Sequence, residues 1–392
     1  MNERESVTKE KAVVLSVGDL ILDVPEAEQY FDETRALLKS GDVVMGQVEI
    51  PYTNRPQWSA YDNHSAPATD PVRLEAMGDA GFNVGTCAGN HSFDQGYYGI
   101  TDTLDKLHEL GIATAGEGRN DEEAWAPAVI RRKGLKFACF SYTAVGPKTV
   151  QATPAKAGAA FIYVATSYDN DTNEPGALPT HIYTSVSPAA LERMRRSFKK
   201  AKAEGALILA SFHMGRMHST DIQQYQTELA HAAVDAGAEM VFAHHPHTLL
   251  GIEMYRGKPI YYSTGHFIFA TDAFLQQGTA LADQRKYLPN HWQGVNTEAL
   301  IKPREPITDT VPFYVGDQAS RNTLIAKGEF DGTGLLRAGF IPCWIDDAGH
   351  PVPVRRGEKG DEILAHIRAL CEREQLDTQC AWSEDGTEVR LS

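Results

Sequence analysis

The residue types best suited to holding a cation recur where apolar runs give way to polar loops. Asp19 follows AVVLSV (12–17), and Glu49 ends DVVMGQVE (42–49). Asn90, His91 and Asp94 follow FNVGTCA (82–88) within AGNHSFDQG. His213 follows ALILASF (206–212), and His244, His245 and His247 follow EMVFA (239–243) within AHHPHTLL. Short apolar runs bounded by Gly, Asn and Pro read as buried strands. In open α/β sheets ligands bind beyond the carboxyl ends of the strands. Five strands would thus deliver carboxylates, an amide and imidazoles to one edge, a mixed oxygen and nitrogen set that suits Mn, Fe, Zn or related ions. Each feature alone has an ordinary reading. Gly18-Asp19 is a turn signal, Glu49 a solvated strand end, and His213 a packed imidazole. His245-Pro246-His247 says more, because imidazoles two residues apart around a fixed-φ proline can converge on neighbouring ions. The conjunction at successive strand ends outweighs the separate ordinary readings.

The elements that would position these groups alternate. Pro25 is placed to open a helix running to Ser40, and Asp70-Pro71 starts a short helix closed by Gly81. Ile100, Leu104, Leu107 and Leu110 carry helical spacing over 97–110. Strand 135–142, helix 188–204 and helix 222–236 follow, and GIEMYRGKPIYYS reads as two strands about an Arg-Gly turn. Strands alternating with helices predict an α/β fold with a largely parallel sheet. Residues 144–187 and 270–330 break the rhythm and read as long inserted loops, which are lids, binding loops or else disordered. A hairpin near 335–355 and a helix near 361–376 complete a single domain over 12–376, leaving 377–392 as a tail.

Composition bounds the function. The chain has 392 residues, 42% hydrophobic and 23% charged, an ordinary globular mix. Its 37 basic and 52 acidic residues leave a net charge of −15, which gives a nucleic-acid backbone little footing. No uncharged apolar run approaches ~18 residues, and the charged start does not read as a signal peptide. Five cysteines without CxxC spacing read as reduced thiols. A cytoplasmic protein with no membrane partner is the expectation.

The sequence resembles the calcineurin-like metallophosphoesterase superfamily in GNH…D, a later strand-end His, and HxPH. More closely, SVGDL, GQVEIPYT, AGNHSFDQG, FHMG and AHHPHTLLGIEMYRGKPIYYSTGHFIF resemble the CapA family of bacterial capsule and poly-γ-glutamate synthesis proteins, over about residues 12–376. The resemblance implies a four-layer α/β-β/α sandwich with one or two divalent ions (Mn, Zn or Fe, with Ca or Mg as alternatives). It implies that Asp19, Glu49 and His247 hold one metal. Glu49, Asn90, His213 and His245 would hold the second, with Glu49 bridging. His91 would act on the substrate or leaving group, oriented by Asp94. The sequence departs from the superfamily pattern at Ile21, where a histidine is usual, at Glu49 in place of Asp, and at His266 in STGHFIF. His266 becomes a candidate added ligand or acid/base.

A water on such metals has its pKa lowered and becomes a nucleophile. His91 or His266 would protonate a leaving group. The expectation is hydrolysis of an amide, ester or lactone bond in a small carboxylate or peptide-like substrate. Epimerisation or elimination on the same site, phosphoester hydrolysis, and a non-catalytic part in capsule synthesis are the alternatives. Tyr163, Arg216, His244 and Trp292 are the candidate substrate contacts, and the 270–330 segment is a candidate lid or homodimer contact.

Overall fold

A computed structural model describes residues 11–57, 66–169, 181–271 and 318–392. The chain begins with β1 (Ala12–Asp23), α1 (Arg35–Leu38), β2 (Val43–Val48), α2 (Glu75–Ala80), β3 (Val84–Thr86), α3 (Gly96–Glu109) and β4 (Ala113–Ala115). Next come β5 (Glu117–Gly118), α4 (Asp121–Ala124), β6 (Ala128–Arg132), β7 (Leu135–Thr143), β8 (Gly158–Ala159), β9 (Val164–Asp169) and β10 (His181–Val186). Then follow α5 (Pro188–Ala203), β11 (Ala206–His213), α6 (Gln224–Asp235), β12 (Ala238–His244), β13 (Ile252–Tyr255), β14 (Lys258–Tyr261) and β15 (His266–Thr271). The last part holds β16 (Asn322–Asp331), β17 (Gly334–Ile345), β18 (Pro351–Pro353), α7 (Glu358–Arg373), β19 (Cys380–Trp382) and β20 (Val389–Leu391).

Two large sheets result. The first runs β19-β20-β17-β16-β1-β2-β3-β4, with β15 also on β1 and β18 on β17. The second runs β13-β14-β12-β11-β7-β6. Alternation along each strand sends successive side chains to opposite faces. Val14, Met45 and Val84 from the first sheet meet Phe137, Leu209, Met240 and Phe242 from the second in one core. Leu15, Val44 and Val48 on the other face of the first sheet pack with Leu74, Met77, Ile100 and Leu104 of the helical side. Phe140, Phe212 and Val241 on the far face of the second sheet pack with Met194 and Phe198 of α5 and Leu229 of α6. Burial on both faces explains why these strands read as near-continuous apolar runs. Each such large side chain contributes about 1.5–3 kcal/mol relative to exposure.

The protein is therefore mixed α/β. Parallel pairing holds for β15-β1-β2-β3-β4 and for β14-β12-β11-β7, whereas β16, β6 and β13 join antiparallel. The 25–40 stretch is not one helix. Glu26 takes a left-handed φ of 56°, and the chain makes a 3-10 turn over Ala27–Phe31 before the one-turn α1. The third strand run shortens to β3. Residues 322–331, read as irregular, form β16, paired on both sides. The 144–187 stretch supplies β8, β9 and β10. Most of the 270–330 stretch lies outside the described residues. Residues 377–392 supply β19 and β20, which extend the first sheet from β17. Among the described residues no helix is long and apolar enough to cross a membrane.

Candidate metal centre

Asp19 sits within β1 where its pairing slips against both β2 and β15. The irregularity is enforced by a close backbone approach, since a Cβ on Gly18 would collide with the Gly265 carbonyl. Gly265 itself holds φ 73°. This contact sets Asp19 opposite His266, the first residue of β15. Glu49 follows β2, and Asn90 and His91 lie in the loop after β3. Gly146, at φ 106°, lets the loop after β7 press on Asn90, because a Cβ there would lie 2.7 Å from the Asn90 Cα. His213 ends β11. His245 and His247 follow β12 at φ 98° and 57°. Non-glycine residues rarely adopt such values, and strain of this kind gathers at functional sites.

The side chains converge. Asp19, Glu49 and His247 offer donor atoms that all lie within 4.8 Å of one another, and all three are buried. His247 Nε2 lies 3.2 Å from Glu49 Oε1, and its Nδ1 3.5 Å from Asp19 Oδ2. The His245 backbone N–H donates to Asp19 Oδ2 at 3.2 Å. His213 Nε2 is 2.7 Å from Asn90 Oδ1, and its Nδ1 3.8 Å from Asp19 Oδ1. The rings of His213 and His245 lie 4.9 Å apart, and those of His247 and His266 5.9 Å. Beside this group, His91 Nδ1 is 2.6 Å from Asp94 Oδ2, which also accepts from the Ala66 N–H at 2.6 Å.

Burial dominates the electrostatics. It pushes the Asp19 carboxyl well above the ordinary carboxylate range, and the neighbouring Glu49 charge pushes it further. Burial opposes ionisation of Glu49 too, but the His247 imidazole outweighs it and holds Glu49 ionised. Burial drives His213 well below the usual imidazole value, and His245, helped by His247, down to about 3. His91 differs: burial opposes its cation, yet the hydrogen bond and charge of Asp94 raise its pKa. Neutral imidazoles with free lone pairs are what a metal requires.

The donor set fits a divalent cation. Asp19 Oδ1, Glu49 Oε2, His213 Nδ1 and His245 Nδ1 are buried and lack hydrogen-bond partners. Buried polar atoms ordinarily find partners, and two buried carboxylates facing each other need a counter-charge.

Of the expected substrate contacts, His244 is buried beside Asp19, its Nδ1 4.0 Å from Asp19 Oδ1 and 3.4 Å from Thr264 Oγ1. Tyr163 is 46% exposed, with the Lys148 ammonium 4.8 Å over its ring. Arg216 is exposed and contacts Ser219 at 3.0 Å and Asp221 at 3.6 Å. Trp292 lies outside the described residues. The sequence reading missed His218, whose ring is 6.1 Å from that of His247. Its backbone N–H donates to the Pro246 carbonyl at 2.9 Å, joining the loop after β11 to the His-Pro-His turn. The available signal was a second histidine five residues after His213.

The fold and donor set define a mixed α/β protein with a buried carboxylate and imidazole centre at its strand ends. Residues 6–271 match the bacterial capsule synthesis protein family PGA_cap, and the chain belongs to that family. It is 27% identical over 244 residues to the PGA biosynthesis protein CapA of Bacillus subtilis (strain 168), covering 62% of this chain and 57% of that one. It is 27% identical over 271 residues to the capsule biosynthesis protein CapA of Bacillus anthracis, covering 66% and 60%. The chain thus spans less than two thirds of either relative. Among solved structures, TT1561 of Thermus thermophilus aligns at a TM-score of 0.37 and 12% identity, over 66% of this chain and 90% of that one. So slight a likeness carries no argument.

Proposed function

We propose that this protein acts in the synthesis or processing of a carboxylate-rich polymer of the poly-γ-glutamate kind, through a divalent cation held by Asp19, Glu49 and His247. Asn90, His213 and His245 adjoin as ligands for a second ion that Glu49 shares. The observation that carries the proposal is the buried Asp19–Glu49 pair with His247 between them, inside the segment matched to the capsule synthesis family. The motif resemblance to the calcineurin-like metallophosphoesterases, with helices outside two packed sheets, supports reading the fold as a four-layer sandwich of that type.

A second reading, hydrolysis of an acyl bond, is favoured by the His91–Asp94 contact. A bound divalent ion would supply Lewis acidity and a water of lowered pKa. Asp94 fixes the His91 ring through Nδ1, leaving Nε2 to give a proton to a leaving group. Neutral His213 and His245 keep cationic charge out of the centre, and ionised Glu49 offsets the charge of the ion.

Metal analysis after reconstitution is expected to find tight divalent-ion binding, weakened at least ~10-fold in His247→Ala. A protein that takes up no ion overturns the proposal. Incubation of the loaded protein with a γ-linked oligoglutamate in H₂¹⁸O then separates the chemistries. Label in a new carboxyl group marks hydrolysis. Solvent hydrogen at an α carbon without chain shortening marks epimerisation. Neither outcome leaves the non-catalytic role in polymer synthesis.

A further inference from the structure

On the outer face of the second sheet, α5 carries Arg193, Arg195, Arg196, Lys199, Lys200 and Lys202 against a single acid, Glu192. The whole chain carries −15, so this helix reverses the sign locally. All of these cations but Arg193 are exposed. A basic last turn is ordinary, because it complements the helix dipole, but that effect fades within one turn and does not reach Arg195 or Arg196.

Residues three and four apart share a helical face. The cations therefore fall into two rows, Arg193–Arg196–Lys200 and Arg195–Lys199–Lys202, while Leu191, Met194, Phe198 and Ala201 are buried. A groove lies beside each row. The first, of about 390 Å³, is lined by Arg193, Lys200 and Lys136, with Glu122 and Glu204, around an apolar floor that includes Trp125 and the half-exposed Val129. The second, of about 530 Å³, is lined by Arg195, Lys199 and Lys202, with Asp235. Some of these charges are committed. Arg193 donates to Asp121 at 2.9 Å and lies 4.3 Å over the Trp125 ring, Lys136 donates to Glu204 at 2.9 Å, and Arg196 stands 3.7 Å from Glu192. Among the described residues, no ion pair joins Arg195, Lys199, Lys200 or Lys202 to a carboxylate. Lys136 pairs in register with Ala206, the first residue of β11, which runs eight residues to His213. This end of the first groove is thus roughly 23 Å along the strand from His213.

We propose that α5 is a docking strip for an extended polycarboxylate chain, held by its two rows of cations. The choice of a polycarboxylate rests on the capsule-polymer reading given above. Neighbours in a row are separated by ~4.5–6 Å along the helix. A γ-linked glutamate repeat, two methylenes longer than an α-linked residue, spans at most ~6 Å and presents one carboxylate. Its methylenes suit the floor at Trp125 and Val129 while its carboxylates reach the cations. A flat duplex or lipid surface would also meet the acidic remainder of the protein, whereas a single chain touches the strip alone. A polymer docked there raises the effective concentration of its end at the metal centre.

The test uses the full chain in the presence of a chelator, so that no ion bridges polymer and protein. The anisotropy of a labelled γ-linked oligoglutamate longer than α5 should report binding that weakens as salt rises. Binding should fall at least ~3-fold in Lys199→Gln/Lys202→Gln and in Arg196→Gln/Lys200→Gln, which keep the helix propensity of the wild type. Arg355→Gln/Arg356→Gln removes the same charge from exposed residues elsewhere and should leave binding unchanged. Melting temperature and divalent-ion uptake should match wild type in all three variants. An oligomer that does not bind, or an equal loss in the Arg355–Arg356 variant, overturns the proposal. Tighter α5-dependent binding of duplex DNA or of phosphatidylglycerol vesicles at equal charge concentration also overturns it. Docking that fails here leaves the metal-centre reading intact, and ion uptake that fails leaves docking intact.

Discussion

Asp19 carries the sharpest conflict in the molecule. It is fully buried, its Oδ1 lacks a hydrogen-bond partner, and Glu49 stands beside it. Its folded pKa lies above the ordinary value of 3.8, so the unfolded chain gives up its proton first as pH rises. Stability is then lost with rising pH above that value. Asp19→Asn should make the metal-free protein more stable than wild type at neutral pH, by about 1–3 kcal/mol, while weakening ion binding. Denaturant melts and calorimetric titration would check both halves. Glu117, outside the candidate ligand set but in contact with Ser92, repeats the pattern. Burial lifts its carboxyl from 4.5 to about 8, against a hydrogen bond from Ser92. The advantage of Glu117→Gln in melting temperature should therefore be small near pH 5, grow up to about pH 8, and level off beyond it. A constant difference across that range would contradict the assignment. The carboxylates, amide and imidazoles of the centre were legible because each follows an apolar run. Glu117 was not: Gly116-Glu117-Gly118 reads as a turn, and its burial depends on α4 and β8 closing over it.

At the scale of elements, the centre depends on backbone that local preference would not choose. His245 at φ 98° and His247 at φ 57° cost on the order of 1–3 kcal/mol each. The neighbouring contact between Gly18 and the Gly265 carbonyl leaves no room for a side chain. Gly18→Ala should destabilise the fold by about 3 kcal/mol or more, seen as a lower melting temperature, and should displace Asp19 and impair ion binding. Wild-type stability in that variant would show that the approach is not obligatory. The helix α3 was readable from the helical spacing of Ile100, Leu104, Leu107 and Leu110, and α5 and α6 from their place between strands. The 25–40 stretch was not, because a left-handed Glu26 is invisible to periodicity. β16 was equally hidden: its residues alternate only weakly, and its status comes from pairing with β1 and β17, which no local pattern records.

For the whole molecule, the two sheets divide the labour. The first brings Asp19, Glu49 and Asn90, all oxygen donors, and the second brings His213, His245 and His247, all nitrogen donors. An unfolded chain cannot hold these groups together, so an ion stabilises only the native state. At a free concentration 100 times the dissociation constant the gain is about 2.7 kcal/mol. Divalent ions should raise the melting temperature and a chelator should reverse the rise. An unchanged melting temperature with a bound ion would mean that the centre binds without coupling to the fold. The sequence showed that the strands end at a common rim, but not that they belong to two sheets, since membership is decided by long-range hydrogen bonding.

That division makes the layer of Phe137, Met240, Phe242 and Phe330 a spacer. In an ion-loaded protein the thickness of that layer would set the spacing between the oxygen and the nitrogen donors, and trimming or enlarging a ring there is expected to change which cation is preferred with every candidate ligand in place.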